Sequence, residues 1–185
     1  MIEVNEDHEY VEDNKIYISV HEILTDCGLI DIQWYTEETA QRGTDIHKMT
    51  KEIDGGGDPE LIKLDYPEEY EGYIDAYLEF KQENDYQIIA IEKPYINKDL
   101  RFAGTPDRIC KINNLPCILD IKTGSKCDWH GIQLSGYKML LNDTESHLRA
   151  LYLKENGKYK LEPYKDSDYR KVFTWALNIF HWKHK

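Results

Sequence analysis

The pair Asn113-Asn114 lies between two strand-like runs and constrains the fold more than any other feature of the sequence. A tight hairpin centred on this pair, with either two or four loop residues, fixes how the flanking strands align. In that alignment Asp107 lies directly opposite Asp120. Directly opposed residues share one face of a sheet, with Cβ atoms about 4.5–5.5 Å apart. The turn therefore predicts two carboxylates side by side.

Like charges in that arrangement destabilise a sheet, so the pair Asp107 and Asp120 needs a neutralising partner. A shared proton is one solution, and a hard divalent cation is the other. Lys122 projects from the same face as Asp120, because side chains alternate along a strand. Two carboxylates and an ammonium suit metal-assisted phosphodiester hydrolysis, in which the lysine positions or deprotonates the attacking water. A simple salt bridge between Lys122 and the two acids explains the same pattern equally well.

Four motifs, in the right order, resemble those of the PD-(D/E)XK nuclease superfamily. Its paired motifs match AGTPD at 103–107 and LDIKTG at 119–124. The segments RGTDIH at 42–47 and QLSGY at 133–137 are similar to the upstream histidine motif and the Q-x-x-x-Y element of its RecB-like branch. The order and gaps also resemble those of compact nucleases encoded by bacteriophages. The resemblance spans about residues 16–180 and favours a nuclease over a plain salt bridge.

The resemblance implies a catalytic role for each matching residue of the paired motifs. Asp107, Asp120 and the backbone carbonyl of Ile121 would bind Mg²⁺ or Mn²⁺. His47 would add an imidazole ligand, and Lys122 would activate the attacking water.

The same resemblance implies contacts with the nucleic acid around this centre. Gln133 and Tyr137, which lie four residues apart on one face of a predicted helix, would contact the nucleic acid or brace the site. Thr123 would shape the exit of the chain from the strand, and Thr123 and Arg42 would add contacts to the nucleic acid. Gly43 costs a helix about 1 kcal/mol relative to Ala, and therefore indicates a close approach to the backbone at this point.

The cysteines separate this chain from one group of RecB-like nucleases. Members that bind an iron–sulfur cluster carry one cysteine early and three after the catalytic core, whereas only Cys127 follows Lys122 here. Cys27, Cys110 and Cys117 form no C-x-x-C pair with it or with each other, so we interpret the thiols as small buried hydrophobic groups. No iron–sulfur cluster is expected.

The remaining pattern predicts one α/β (α+β) domain over residues 1–185, with a restriction-endonuclease-like core in which helices flank a central mixed sheet. Residues 1–85 are predicted to be mainly helical: a hairpin from His8 to Ser19, a helix from Ser19 to Gly28, a helix that follows Trp34-Tyr35 and runs from Thr36 to about 53, a break at 55–59, and a helix beginning at Pro67. Residues 86–185 are predicted to form the catalytic sheet and its helices: strands at 87–96, 100–112, 115–122, 148–153 and 158–162, and helices at 129–141 and 167–181.

The net charge of −12 is unfavourable for binding phosphates, but the charge is unevenly distributed. Residues 1–85 hold 24 acidic and 6 basic residues, whereas residues 86–185 hold 11 and 17. A phosphate backbone is therefore expected to lie against the second half. No apolar run approaches the roughly 20 residues of a membrane span, and the acidic N-terminus does not resemble a secretory signal. We expect a cytoplasmic protein without a membrane partner.

These features together predict a metal-dependent deoxyribonuclease that binds DNA without sequence specificity. We expect an exonuclease that acts from DNA ends in recombination, repair or phage DNA processing. A structure-specific endonuclease, a non-catalytic nucleic-acid-binding module on the same fold, and a metal-dependent hydrolase of small phosphate esters remain as alternatives.

Overall fold

The computed structural model describes residues 2–5, 9–30 and 36–185. The predicted start of the first hairpin at His8 and the segment Trp34-Tyr35 lie outside the described residues. In the described part of the first 85 residues, short strands precede a mainly helical region: β1 (Glu3–Val4), β2 (Tyr10–Glu12), β3 (Lys15–Ser19), α1 (Val20–Asp26), α2 (Glu37–Asp54), α3 (Pro59–Leu64), a 3-10 turn (Glu68–Tyr70) and α4 (Glu71–Glu83).

Residues 86–185, all of them described, add strands and two long helices: β4 (Tyr86–Ile91), β5 (Tyr95–Asn97), β6 (Phe102–Gly104), β7 (Arg108–Ile112), β8 (Leu115–Lys122), α5 (Asp128–Leu140), β9 (His147–Leu153), β10 (Tyr159–Tyr164) and α6 (Asp166–Lys183). From β8 onwards, each predicted helix or strand ends within two residues of the observed one. The α/β class predicted from the sequence is confirmed.

The described strands form two mixed sheets flanked by helices, which is consistent with the predicted restriction-endonuclease-like core. Their strand orders are β1-β2-β3-β6-β5 and β10-β9-β8-β7-β4. The predicted strand 87–96 is interrupted at Glu92, whose φ of 41° lies in the left-handed region. The predicted strand 100–112 is interrupted around Pro106, which has no N–H to donate to a strand ladder. β5 and β6 therefore leave the second sheet, and β6 pairs in parallel with β3.

β7 and β8 form the predicted hairpin in the predicted register. Arg108 pairs with Leu119 at the open end of the hairpin. The two turn asparagines have φ values of 52° and 65°, as a two-residue type I′ turn requires. Asp107 and Asp120 are the next positions in this alignment.

Helices cover both faces of β8. Ile118 belongs to the hydrophobic cluster that includes α1, α5 and α6, whereas Leu119 and Ile121 belong to the cluster that includes α2 and α4. Because side chains alternate along a strand, Asp120 and Lys122 lie on the α5 side. The sheet therefore directs these two polar side chains towards α5.

The helix boundaries follow local capping signals, with one omission in our prediction. Thr36 caps α2, and Ser19 caps α1 through a capping box, both as predicted. The break predicted at 55–59 also contains the start of α3, where Asp58 is the cap and Pro59 takes the first position. Pro67 begins a 3-10 turn that leads into α4, not the first turn of α4 itself.

Candidate active site

Asp107 lies at the entrance to β7, and its carboxylate is fixed to the backbone of β8. Asp107 Oδ2 accepts a hydrogen bond of 2.7 Å from the backbone N–H of Ile121. Asp120 directly precedes Ile121, and its side chain is 2% exposed. The hairpin thus brings the two predicted carboxylates to one place, largely shielded from water.

Asp120 is in an unfavourable environment for a negative charge. Burial raises its pKa, Lys122 lowers it and Asp107 raises it, and the net direction is upward. The Lys122 Nζ atom lies 2.6 Å from Asp120 Oδ2. A further positive charge beside the two acids would favour the ionised form of Asp120.

Lys122 is held by contacts from β8 and from α5. In addition to its ion pair with Asp120, its Nζ donates a hydrogen bond of 3.1 Å to Gln133 Oε1 and lies 5.1 Å from the centre of the Trp129 ring. Gln133 Nε2 in turn donates a hydrogen bond of 3.0 Å to the hydroxyl of Tyr137. The first turns of α5 therefore position the ammonium group.

Gln133 and Tyr137 are both buried, each with 7% of its surface exposed. Burial raises the pKa of Tyr137 well above its usual value, so its hydroxyl is protonated at neutral pH. Of the two roles predicted for this pair, bracing Lys122 is the one that these contacts provide. The Q-x-x-x-Y pair thus lies behind Lys122 in this arrangement.

α2 brings His47 next to Asp107, whereas Lys122 contacts Asp120. His47 Nδ1 lies 3.4 Å from Asp107 Oδ1, and the imidazole is partly exposed. Ile46, Met49 and Ile53 on the same helix are buried in the cluster that α2 shares with α4 and the sheet. The packing of these apolar residues orients α2 with His47 towards the edge of the sheet.

A cleft of about 1000 Å³ opens between α2 and the segment that joins β8 to α5. Five of the residues predicted for the site line this cleft: Arg42, His47, Ile121, Lys122 and Thr123. Gly43 also lies on its wall, and outside the backbone of its own helix and its chain neighbours no described atom lies within 4 Å of the position that a Cβ would occupy there. The glycine leaves open space on this wall of the cleft, so a close approach to its backbone stays a prediction.

The cleft is cationic although the protein is acidic. Its described lining carries Arg42, Lys48, Lys51 and Lys122, with Glu92 as the one acidic residue. Three of these cations come from α2, in the half of the chain that is strongly acidic overall. None of the acidic residues of α2, which is described in full, lines the cleft. Comparison of the charges of residues 1–85 and 86–185 therefore predicted the wrong half of the chain for most of the positive residues of the cleft.

His130 also lines the cleft. Its Nδ1 lies 2.6 Å from the hydroxyl of Tyr152, which lies 2.7 Å from the hydroxyl of Tyr164. Burial, with a smaller contribution from Lys122, lowers the pKa of His130 to about 4. The imidazole is therefore neutral at physiological pH and adds no positive charge beside Lys122.

The donor set suits a hard divalent cation. Two carboxylates, one backbone carbonyl and one imidazole are oxygen and nitrogen ligands of the kind that bind Mg²⁺ and Mn²⁺. Among the described residues, no three His, Cys, Asp or Glu side chains already form a metal-binding group. The raised pKa of Asp120 shows that the ammonium of Lys122 does not fully offset the burial of the acid. The residues therefore fit a metal that would complete the neutralisation.

The cysteines are free thiols in this structure. Cys110 and Cys117 are buried opposite each other on the β7–β8 hairpin, as expected for small hydrophobic side chains, whereas Cys27 is partly exposed and Cys127 is exposed.

The sequence model of the PD-(D/E)XK nuclease superfamily matches residues 62–178, and the chain belongs to this superfamily. The match includes β7, β8 and α5, which carry both acids and Lys122. The crystal structure of SSO0001 is similar over 86% of this chain and 84% of that one, at 13% sequence identity and a TM-score of 0.34. No curated protein matches the sequence.

Proposed function

We propose that this protein is a divalent-metal-dependent deoxyribonuclease that hydrolyses phosphodiester bonds in the cleft between α2 and the end of β8. The observation that carries the proposal is the convergence of Asp107, Asp120 and Lys122 beside a cationic cleft. Membership of the PD-(D/E)XK superfamily supports the same chemistry.

Asp107, Asp120, the carbonyl of Ile121 and His47 would hold Mg²⁺ or Mn²⁺. When bound, such a metal polarises a phosphate and lowers the pKa of coordinated water. Asp107 is already oriented by its hydrogen bond to the backbone of Ile121, so its second oxygen remains on the side of His47. The protein thus presents preoriented ligands from two strands and one helix.

Lys122 would orient the attacking water and offset negative charge that develops on the phosphate. Gln133 limits the movement of its Nζ through one hydrogen bond, and Trp129 covers it through a cation–π contact. His130 on the same wall is neutral, so Lys122 is not repelled there by a second positive charge.

The cleft favours a nucleic acid strand bound through its backbone. Arg42, Lys48 and Lys51 can bind phosphates without reference to sequence, because phosphate contacts carry no sequence information directly. Thr123 and the adjoining Gly124 lie on the opposite wall and can contact the same strand. Non-specific DNA binding is the outcome that these side chains support.

We further propose that the enzyme is an exonuclease of the RecB-like type that acts on DNA ends in recombination, repair or phage DNA processing. The supporting observations are His47 beside Asp107, the Gln133–Tyr137 pair behind Lys122, and the recessed position of both acids. No helix within the described residues is long and apolar enough to span a membrane. We propose the cytoplasm as the location, which is the host cytoplasm for a phage-encoded protein.

A structure-specific endonuclease would use the same site, and a non-catalytic binding module would use the same cleft. The presence of Lys122 in contact with Asp120 favours catalysis over binding alone. End-labelled DNA separates the three possibilities: nucleotides released from the end indicate an exonuclease, discrete internal fragments an endonuclease, and a shifted but intact band a binding module.

The metal requirement gives the direct test of the proposed chemistry. We expect no cleavage in EDTA, and cleavage with Mn²⁺ at least as fast as with Mg²⁺, because imidazole suits Mn²⁺ better than Mg²⁺. His47→Ala should slow cleavage with both metals, and His147→Ala, an exposed histidine on β9, is the matched control. Full activity in EDTA would reject the metal mechanism, and an unchanged rate for His47→Ala would remove His47 from the site.

A further inference from the structure

Arg108 directly follows the candidate ligand Asp107 and is completely buried, with 0% of its side chain exposed. Arginine is almost never fully buried unless it is paired. Arg108 is the largest fully buried side chain among the described residues. Its position on β7 therefore requires an explanation that apolar packing does not provide.

The guanidinium of Arg108 joins α2 to the backbone of the candidate ligand. Its Nε donates 2.7 Å to Asp54 Oδ2, and Nη2 donates 3.3 Å to Thr50 Oγ1. Its Nη1 donates 2.9 Å to the backbone carbonyl of Asp107. One planar group thus contacts two residues of α2 and the peptide that carries the Asp107 carboxylate.

The contacts on α2 lie on the helix face that carries His47. His47, Thr50 and Asp54 are spaced three and four residues apart, which places them on one face. Thr50 Oγ1 also donates a hydrogen bond of 2.9 Å to the carbonyl of His47. Any shift of Arg108 relative to α2 would therefore move His47 relative to Asp107.

A second donor fixes the same peptide of Asp107. The backbone N–H of Glu92 donates 2.9 Å to the Asp107 carbonyl. Glu92 adopts a left-handed φ of 41°, and its carboxylate accepts a hydrogen bond of 2.7 Å from Lys51 on α2. Left-handed conformations of residues other than glycine cost free energy and persist where the surroundings fix them.

Asp54 is anchored on its other side by α4. Tyr77 donates a hydrogen bond to Asp54 Oδ2, and Lys81 Nζ lies 2.8 Å from Asp54 Oδ1. Replacement of a buried ion pair by apolar residues of similar volume is often neutral or stabilising. Stability alone therefore does not account for a charged pair at this position, whereas the need for a defined position of α2 does.

We propose that Arg108 and Asp54 are positioning residues that set α2 against β7, so that the His47 imidazole and the Asp107 carboxylate converge on one divalent cation. The proposal rests on the proposed function, because it assigns the pair to the same metal site. Neither residue is itself among those that line the cleft, and both act through His47 and Asp107.

The double variant Asp54→Leu/Arg108→Met tests positioning separately from folding, since it replaces the pair by apolar residues of similar volume. We expect a cooperatively folded protein whose affinity for Mn²⁺, measured by calorimetric titration without DNA, is at least tenfold weaker. Cleavage at saturating Mn²⁺ should remain slower than in the wild type. A merely structural pair predicts wild-type affinity and rate in a folded double variant, which would overturn the proposal.

Arg108→Lys provides a second arm if the double variant does not fold, because it keeps the charge but loses the fork that reaches three partners. We expect a three- to tenfold loss of Mn²⁺ affinity, and wild-type affinity in this variant would overturn the proposal. Asp26→Asn, which breaks an ion pair between α1 and α6, is the control and should bind Mn²⁺ normally. Wild-type protein that binds Mn²⁺ but cleaves no DNA would reject the proposed function and leave the positioning role in place.

Discussion

Lys122 is constrained by an acid, an amide and an aromatic ring, and none of these contacts is required to hold DNA. We therefore expect Lys122→Ala to reduce single-turnover cleavage by roughly 10²–10⁴-fold, the usual range for a positioned acid–base group. Binding of DNA and Mn²⁺ should change by no more than a few-fold. Lys126→Ala, at an exposed lysine in the connection between β8 and α5, is the control. Cleavage by Lys122→Ala near the wild-type rate would show that its assigned role is wrong.

Substitution of Asp120 should abolish activity without lowering the stability of the protein. Its pKa is raised in the folded protein, mainly by burial, so above that pKa its charge opposes folding. Asp120→Asn should therefore preserve or raise the Tm in EDTA near neutral pH, by about 2–4 °C for each 1 kcal/mol gained. Asp107→Asn should behave similarly, because an amide oxygen can still accept the hydrogen bond from Ile121. Both variants should lack activity.

Thermal melts in EDTA distinguish a structural role of Asp107 and Asp120 from a metal-binding role. Marked destabilisation of both variants would mean that Asp107 and Asp120 are structural partners of Lys122 or of another cation. Retained stability together with lost activity would support a pair that serves a metal.

At the level of elements, the β7–β8 hairpin aligns the two acids, and substitutions in its turn can test what stabilises it. Both turn residues have positive φ, which a β-branched residue adopts only with strain. Asn114→Val should lower the free energy of unfolding by about 1–3 kcal/mol, whereas Asn114→Gly should be neutral or stabilising because glycine suits this turn. Urea unfolding in EDTA measures both effects. Equal destabilisation by Val and Gly would show that the side chain of Asn114, and not its backbone conformation, stabilises the turn.

The elements that could be predicted are those specified by neighbouring residues. The Asn113-Asn114 turn specified the hairpin register, and the caps Ser19 and Thr36 specified two helix starts, because the relevant hydrogen bonds lie within a few residues. The division into two sheets depends on the pairing of β3 with β6, which are separated by more than 80 residues in the chain. No local pattern contains that information.

The same distinction holds within the candidate site. The relation of Asp107, Asp120 and Lys122 follows from strand alternation and one turn, so the sequence was enough to predict it. Which face of α2 lines the cleft depends on how the helix packs on α4 and the sheet, so Lys48 and Lys51 were missed. Arg108 was missed because an arginine in a strand is expected at the surface unless its partner is known, and Asp54 lies 54 residues earlier.

At the scale of the whole molecule, the cationic cleft resolves the conflict between a net charge of −12 and a phosphate-rich substrate. Three of the four cations that line the cleft lie on one wall, formed by α2, while the protein as a whole is acidic. Salt screens exposed charges, so DNA binding should weaken as the salt concentration rises. Because the cleft residues are partly enclosed, the bound strand should be confined to the cleft. A strand is therefore expected to enter the cleft lengthwise, and not to lie across the acidic surface.

This geometry leads to the prediction that the enzyme requires a DNA end. The side chain of Asp120 is almost fully buried and that of Asp107 is 13% exposed, so the scissile phosphate must enter the cleft to reach them. A free terminus can be threaded into such a site, whereas a covalently closed duplex would have to distort to bring a phosphate to the two acids. The cations on α2 would hold a backbone without reading bases, so no site along a closed circle would be favoured over another. Closed circular DNA should therefore resist cleavage under conditions of metal and salt in which the same DNA, linearised, is degraded progressively from its ends. Discrete fragments produced from the closed circle would contradict this prediction and would indicate a structure-specific endonuclease on the same site.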